Sequence, residues 1–251
     1  LENGAVPNGV CETCHSGASE HAQSGDPSQV TIPKGRKGTD ETCRMCHDRA
    51  DGRRSHRAGM HANSEQVNCL SCHSVHNSEP AQTHLLRAAE PQLCATCHST
   101  QAAEFRNKPF THRIGRGGFG CTSCHEPHGR PGDESIRRTN FGEQACISCH
   151  SNLRGPFVFP HGAASFTNSH GLNSTGDCQS CHQPHGSNNP KMLKRATVAQ
   201  LCLECHSNLG TEAVLGSQPP AFHNLNLPRY QNCTTCHVSV HGSNRSPALL
   251  K

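Results

Sequence analysis

The sequence predicts a chain of coil and short α-helices with almost no β-sheet, packed around something other than its own side chains and laid out as an elongated array of repeats. Three observations carry that expectation. The 251 residues are only 32% apolar and 4% aromatic, with no Trp and one Tyr beside 23 Gly and 16 Pro. A soluble domain usually has about 45–50% apolar residues, and a chain this polar cannot bury enough area to offset its conformational entropy. All eighteen cysteines fall into nine Cys-x-x-Cys pairs, each followed directly by His. Successive pairs start 32, 26, 25, 27, 25, 32, 24 and 31 residues apart, the regularity of a repeat.

The second observation names the missing core. Cys-x-x-Cys-His is the attachment sequence for c-type haem: the two thiols add to the porphyrin vinyl groups, and the neighbouring histidine is thereby placed to bind the iron. The expected thioether residues are Cys11 and Cys14, Cys43 and Cys46, Cys69 and Cys72, Cys94 and Cys97, Cys121 and Cys124, Cys146 and Cys149, Cys178 and Cys181, Cys202 and Cys205, and Cys233 and Cys236. The expected proximal ligands are His15, His47, His73, His98, His125, His150, His182, His206 and His237. Disulfides are the usual use of so many cysteines in an exported chain, but they do not explain nine identical pairs. Zinc would join two knuckles per tetrahedral site; nine is odd, and zinc gives no reason for a histidine after every second cysteine. The fold class is therefore that of a multihaem cytochrome c with a haem-packed core and nine covalently bound haems c.

The repeat unit holds two motifs. One half carries a second histidine just after its motif: Cys69 to His76, Cys121 to His128, Cys178 to His185 and, stretched, Cys233 to His241. The other half follows a leucine- or arginine-bearing stretch, as in LLRAAEPQLCATCHS (85–99), SIRRTNFGEQACISCHS (135–151) and MLKRATVAQLCLECHS (192–207). Residues 1–251 thus read as one domain of repeat units at about 1–60, 61–110, 111–160, 161–222 and 223–251, each packing mainly on its neighbours. The motifs at Cys11 and Cys43 lack the close second histidine, and HGSNRSPALLK (241–251) copies HGSNNPKMLK (185–194), making the last unit a half-unit. EPQLCATCH and TVAQLCLECH read as short helices carrying their motifs, with polar first turns at Glu90-Pro91 and Thr197. Pro-His-Gly and the runs around Gly115–Gly120 and Ser187–Pro190 read as turns.

Twelve of the 21 histidines lie outside the motifs, and nine irons need at most nine sixth ligands. Met45 sits between two haem-binding cysteines, leaving only Met60 and Met192, so histidine on both faces is affordable and methionine is not. Such ligation leaves a c-haem at lower potential than His/Met. The repeat picks out His76, His128, His185 and His241 after the motifs and His61, His112, His161 and His223 ahead of them. His170 competes with His161, being closer to Cys178. For the ninth ligand His21 is favoured over His56 and His84. His185 lies so close to His182 that it is expected to cap a different haem.

Formal charge is +4 with histidines neutral. Eighteen propionates and nine ferric centres would turn this to about −5, and to about −14 on reduction, so the basic sequence gives little support for nucleic-acid binding. No apolar run approaches the roughly 20 residues of a membrane helix. Leu1–Val10 lacks the basic start and apolar stretch of an export leader. Because haem is attached by this motif after export in bacteria and archaea, the expectation is a mature chain, its leader removed, in the periplasm, at the outer membrane or outside the cell.

The string GPFVFPH (155–161), the run CQSCHQPHGSNNPKML, CLECHSN and the terminal FHN…CTTCH…HGSN resemble the periplasmic decahaem cytochromes of the Mtr/Dms type, most specifically from about Thr111 to Ser246. The resemblance implies a bis-histidine wire, with other redox proteins as donor and acceptor, inserted in an outer-membrane β-barrel porin for extracellular electron transfer. Nine motifs stand here where that family usually has ten. A self-assembling extracellular filament of such subunits is the alternative. An enzyme such as a nitrite reductase or hydroxylamine oxidoreductase needs an iron with an open position. All nine motifs end in His, and the lone Tyr230, three residues before Cys233, fits packing or hydrogen bonding. The reading is an electron carrier, not an enzyme.

Overall fold

The computed structural model of the chain describes residues 10–47, 59–76, 83–115, 119–129, 136–137, 144–162, 165–167, 173–175, 178–206, 223 and 225–250. Among the described residues eight short α-helices punctuate the coil: α1 (Ala18–Ser24), α2 (Gly35–His47), α3 (Met60–Asn63), α4 (Cys69–Cys72), α5 (Glu90–Ala95), α6 (Ser99–Asn107), α7 (Cys146–Cys149) and α8 (Val198–Cys202). Among the described residues sheet is confined to two antiparallel pairs. β1 (Phe159–Pro160) pairs with β4 (Gly242–Ser243), and β2 (Ser165–Thr167) pairs with β3 (Asn173–Thr175). Mostly coil, short helices and little sheet is the fold class that the composition and the nine motifs predict.

The motif helices are capped by their own sequence. Thr197 and Gln200 close a reciprocal box at the start of α8, Thr197 Oγ1 accepting from Gln200 N at 3.2 Å and Gln200 Oε1 from Thr197 N at 3.3 Å. Proline follows Glu90 in the first turn of α5, where its missing N–H costs nothing. Serine at the third motif position does similar work elsewhere: Ser71 Oγ accepts from Asn68 N and Ser123 Oγ from Gly120 N, both at 3.0 Å. The nine-residue α6, directly after His98, was not anticipated; its STQAAEFRN sequence has no glycine or proline to stop it.

Among the described residues the buried apolar side chains are Ala145 and Ile147, and no helix is long and apolar enough to cross a membrane. The polypeptide therefore builds almost no core of its own. What it buries instead is polar: Ser187, Ser243, Thr39 and Asp40.

The chain divides into two compact units. The first comprises Leu1–Leu93 and His125–Ser135. In it α2 packs on α4, where Asp40 Oδ1 accepts from Cys69 N at 3.1 Å, satisfying an N–H that a four-residue helix leaves unpaired. Arg36 lies 3.7 Å from the other oxygen of Asp40 and donates to the carbonyl of Ala62.

The second unit comprises Cys94–Cys124 and Ile136–Lys251. Here a recurring crossing holds the structure. Phe110 and Ser187 exchange backbone hydrogen bonds of 2.9 and 3.2 Å, and Phe159 is register partner of Ser243 in β1–β4. Each crossing puts a histidine-bearing segment (FTH or FPH) over a His-Gly-Ser-Asn segment. Glycine is required at both: a Cβ on Gly186 would stand 2.8 Å from Cβ of Lys108, and one on Gly242 only 2.2 Å from the Phe157 ring. Both glycines also have positive φ, +128° and +139°.

Candidate functional site

Each motif folds as a single helical turn. The motif histidine N–H donates to the first cysteine carbonyl at 2.8–3.0 Å for His15, His73, His98, His150, His182, His206 and His237. That turn sets the imidazole beside both cysteines. All eighteen cysteines are free thiols, as thioether attachment requires.

Six motif histidines face a second histidine. Ring centroids lie 5.8 Å apart for His15 and His76, 6.0 Å for His73 and His128, and 6.5 Å for His150 and His112. The corresponding separations are 5.9 Å for His206 and His161, 6.4 Å for His182 and His241, and 6.3 Å for His237 and His223. Two metal–imidazole bonds of about 2 Å each, plus the step from nitrogen to ring centre, span about 6 Å. All six gaps therefore fit one iron between two imidazoles.

The tautomers fit as well. A carbonyl can only accept, so an imidazole nitrogen bonded to one carries the proton and leaves the other nitrogen for the metal. His15 Nδ1–H donates to Thr31 O (3.3 Å), His73 to His84 O (2.9 Å), His182 to Lys191 O (2.8 Å) and His237 to Ala248 O (2.6 Å). On the opposing side His61 Nδ1–H donates to Pro127 O (3.0 Å) and His112 to Pro184 O (3.2 Å), while His161 bonds the carbonyl of Val240. The three acceptors immediately precede His128, His185 and His241. Each upstream histidine is thus oriented by the backbone that carries a following one. Burial and then the neighbouring His206 hold His161 below the ordinary imidazole value. Burial, His182, His161 and Lys191 do the same to His241. Both are thereby biased toward the neutral, metal-binding form.

Sequence reasoning missed the carbonyls. Those serving His73, His182 and His237 sit in or beside backbone turns with positive φ at non-glycine residues: His84 and Leu85, Lys191 and Met192, and Leu249. Such conformations cost about 1–2 kcal/mol per residue and recur because the turn aims a carbonyl at the imidazole. The returning chain is then tied to the motif, as Arg87 N to Cys72 O (3.0 Å) and Lys194 N to Cys181 O (3.0 Å). The recurring signal was present as LLR, MLK and ALL at similar distances after the motifs. His84, weighed above as a ligand, supplies its carbonyl here.

The remaining expected ligands are placed as follows. His21 donates Nδ1–H to Asp26 O at 2.9 Å. His185 lies with its ring 5.3 Å from Phe105 and its Nδ1 3.4 Å from a Glu104 oxygen. His47 closes α2, His98 precedes α6, and His125 opens the later segment of the first unit. His56 and His170 lie outside the described residues.

First cysteines of successive motifs meet as pairs. The Cys69 thiol is pushed up to about 12 by burial, by Asp40 and by Cys43 beside it. Cys202 is raised to about 11 by burial and Cys233, and Cys146 is lowered to about 7 by a hydrogen bond from Cys178. Thioethers do not titrate, so what persists in the mature protein is the proximity: motif two beside three, six beside seven, eight beside nine.

Free cysteine pairs on helical turns, each beside a histidine, with second imidazoles set one iron away, define an electron-transfer cytochrome with covalently bound haem c. The comparisons agree. The family model "Doubled CXXCH motif" matches residues 61–103, 112–155 and 170–211. The chain is 32% identical over 248 residues, covering 96% of its own length and 69% of the relative, to the multihaem cytochrome MtrA of Shewanella baltica (strain OS185). It belongs to the Mtr-type multihaem cytochromes c. Two of the three family matches open on His61 and His112; the third opens on His170, whereas the structure sets His161 against His206.

Proposed function

We propose that this chain is a nine-haem electron conduit working outside the cytoplasm, through an outer-membrane porin, in extracellular electron transfer. The observation that carries the reading is the set of six motif histidines each facing a second histidine at 5.8–6.5 Å. Bound haem supplies one-electron chemistry at low potential. The polypeptide's part is to hold both imidazoles neutral, aim their nitrogens and leave no position on the metal for a substrate, which is why we assign it no reaction of its own.

The repeat gives a rule for the axial pairs. Motifs one, three and seven take the following histidine of the next like half-unit: His15 with His76, His73 with His128, His182 with His241. Motifs six and eight take the histidine ahead of the preceding half-unit: His150 with His112, His206 with His161. The rule extends to the motif at Cys121 and Cys124, which takes His185; His21 is assigned to the motif at His47. The pairs of touching first cysteines support neighbouring haems at motifs two and three, six and seven, and eight and nine.

Haem per polypeptide, measured as the pyridine complex, should be nine, and the ferric spectrum wholly low-spin. A high-spin ferric signal of one haem or more in the wild-type protein would sink the bis-histidine reading. Co-purification with a β-barrel supports the porin; uniform fibres by electron microscopy, with no barrel, would replace it by a filament.

A further inference from the structure

The six histidine pairs are not alike in orientation. In the second unit His161 and His206 have ring planes 11° apart and His182 and His241 12° apart. His112 and His150 are turned by 60°, and His223 and His237 by 58°. In both turned pairs an aromatic ring rests against the non-motif histidine. Phe119 lies 5.6 Å from His112, tilted 35°, and Tyr230 meets His223 edge-on at 5.0 Å and 86°.

We propose that Phe119 and Tyr230 are positioning residues that turn His112 and His223 out of line with His150 and His237, dividing the axial pairs of the second unit into two electronic classes. The inference rests on the bis-histidine reading above. Each aromatic is held by backbone rather than by chance packing. Gly115 N donates to Phe119 O at 2.8 Å, and Ile114 N donates to His112 O at 3.0 Å. Tyr230 ends a helical turn, its N–H on Leu227 O at 2.9 Å, with the Arg229 guanidinium 4.7 Å from its ring centre. Tyr230, edge-on to His223, and Phe119, tilted against His112, each stand in the way of rotation of the imidazole about its own Cβ bond, the motion that would bring the planes into line.

Orientation matters because an imidazole donates from a π orbital perpendicular to its plane. Two parallel planes act on the same iron d orbital and split it from its neighbour. Planes turned toward a right angle act on one orbital each, and the splitting shrinks. Ferric low-spin electron paramagnetic resonance reads that splitting directly: parallel pairs give a rhombic spectrum, and turned pairs give a single low-field feature at larger g.

The test is the helium-temperature spectrum of the fully oxidised full-length holoprotein, with spins counted. The wild type should show both low-spin families. Phe119→Leu and Tyr230→Leu should each move one haem's worth of spin from the low-field family to the rhombic one, while Tyr230→Phe, which keeps the ring, leaves it in place. A wild-type spectrum with only the rhombic family overturns the proposal without any variant. So does a low-field family unchanged in both leucine variants, or a high-spin signal in either, which would mean that the ring holds the ligand on the metal rather than turning it. A high-spin signal in the wild type instead defeats the bis-histidine reading, so the two failures are distinct.

Discussion

His182 and His237 stand at the same point of the same motif, and one side of each is built identically. Both donate Nδ1–H to a carbonyl presented in or beside a turn with positive φ, Lys191 at 2.8 Å and Ala248 at 2.6 Å. Their opposite sides differ. His182 faces His241 of the following half-unit with planes 12° apart, whereas His237 faces His223, ten residues ahead of its own Cys233, with planes 58° apart. The near side is encoded within about a dozen residues and therefore repeats. The far side depends on which neighbour reaches across, and therefore varies along the array.

The strongest break in that comparison is removal of a far-side ligand. His241→Ala should convert one haem to high-spin, the one on Cys178 and Cys181, and leave that on Cys233 and Cys236 low-spin. His223→Ala should do the reverse. His185→Ala should also give one high-spin haem, and not the one on Cys178 and Cys181. Assigning the high-spin site in each variant checks all three, and loss of the Cys233–Cys236 haem in His241→Ala, or of the Cys178–Cys181 haem in His185→Ala, would contradict the interlocked arrangement.

Next in size is the crossing that delivers two of the proposed ligands, His161 and His241, at once. Gly242→Ala places a side chain at φ +139° and its Cβ 2.2 Å from Phe157. A positive-φ residue of this kind costs about 1–3 kcal/mol before the clash, and the shift should loosen His161 and His241 together. Gly186→Ala comes no closer than 2.8 Å, to Cβ of Lys108, with Lys108 Cγ at 3.1 Å and Thr111 Cβ at 3.3 Å, and should be milder. The ranking is read from thermal melts and high-spin content, and equal effects would count against it.

Protonation should act on the same two ligands more gently. His161 and His241 are held below the ordinary imidazole value, chiefly by burial. The folded state therefore binds fewer protons than the unfolded one. The stability they contribute is complete above the unfolded value of about 6.5 and declines as pH falls toward their folded values. Melting temperature should hold above neutrality and drop as pH falls below about 6.5; a rise on acidification would contradict it.

The smallest of these effects is at Ser187. Its hydroxyl donates to Leu193 O at 2.6 Å and accepts from Asn189 N at 3.0 Å in a site only 1% exposed. Ser187→Ala should cost about 1–3 kcal/mol by denaturant titration with ligation intact.

Much of this was legible in the sequence because the chemistry is local. Cys-x-x-Cys-His fits in one helical turn, so the motif predicts its own geometry, and low apolar content predicts a chain with scarcely more core than Ala145 and Ile147. Thr197 with Gln200 reads as a cap without any tertiary information. The carbonyls of His84, Lys191 and Ala248 were not legible as partners, since any residue has a carbonyl and only the backbone turn aims it. Nor was the placement of His161 against His206, which is set by β1 pairing with β4, a contact some eighty residues long in sequence. Plane angles were beyond reach for the same reason: they depend on Phe119 and Tyr230 leaning on a ring.

The most direct test is an experimental structure of the mature holoprotein with its irons and axial ligands resolved. The account predicts one iron between His182 and His241, attached through Cys178 and Cys181, with His185 bound to the iron carried by Cys121 and Cys124. An iron held by His182 and His185 together would contradict it.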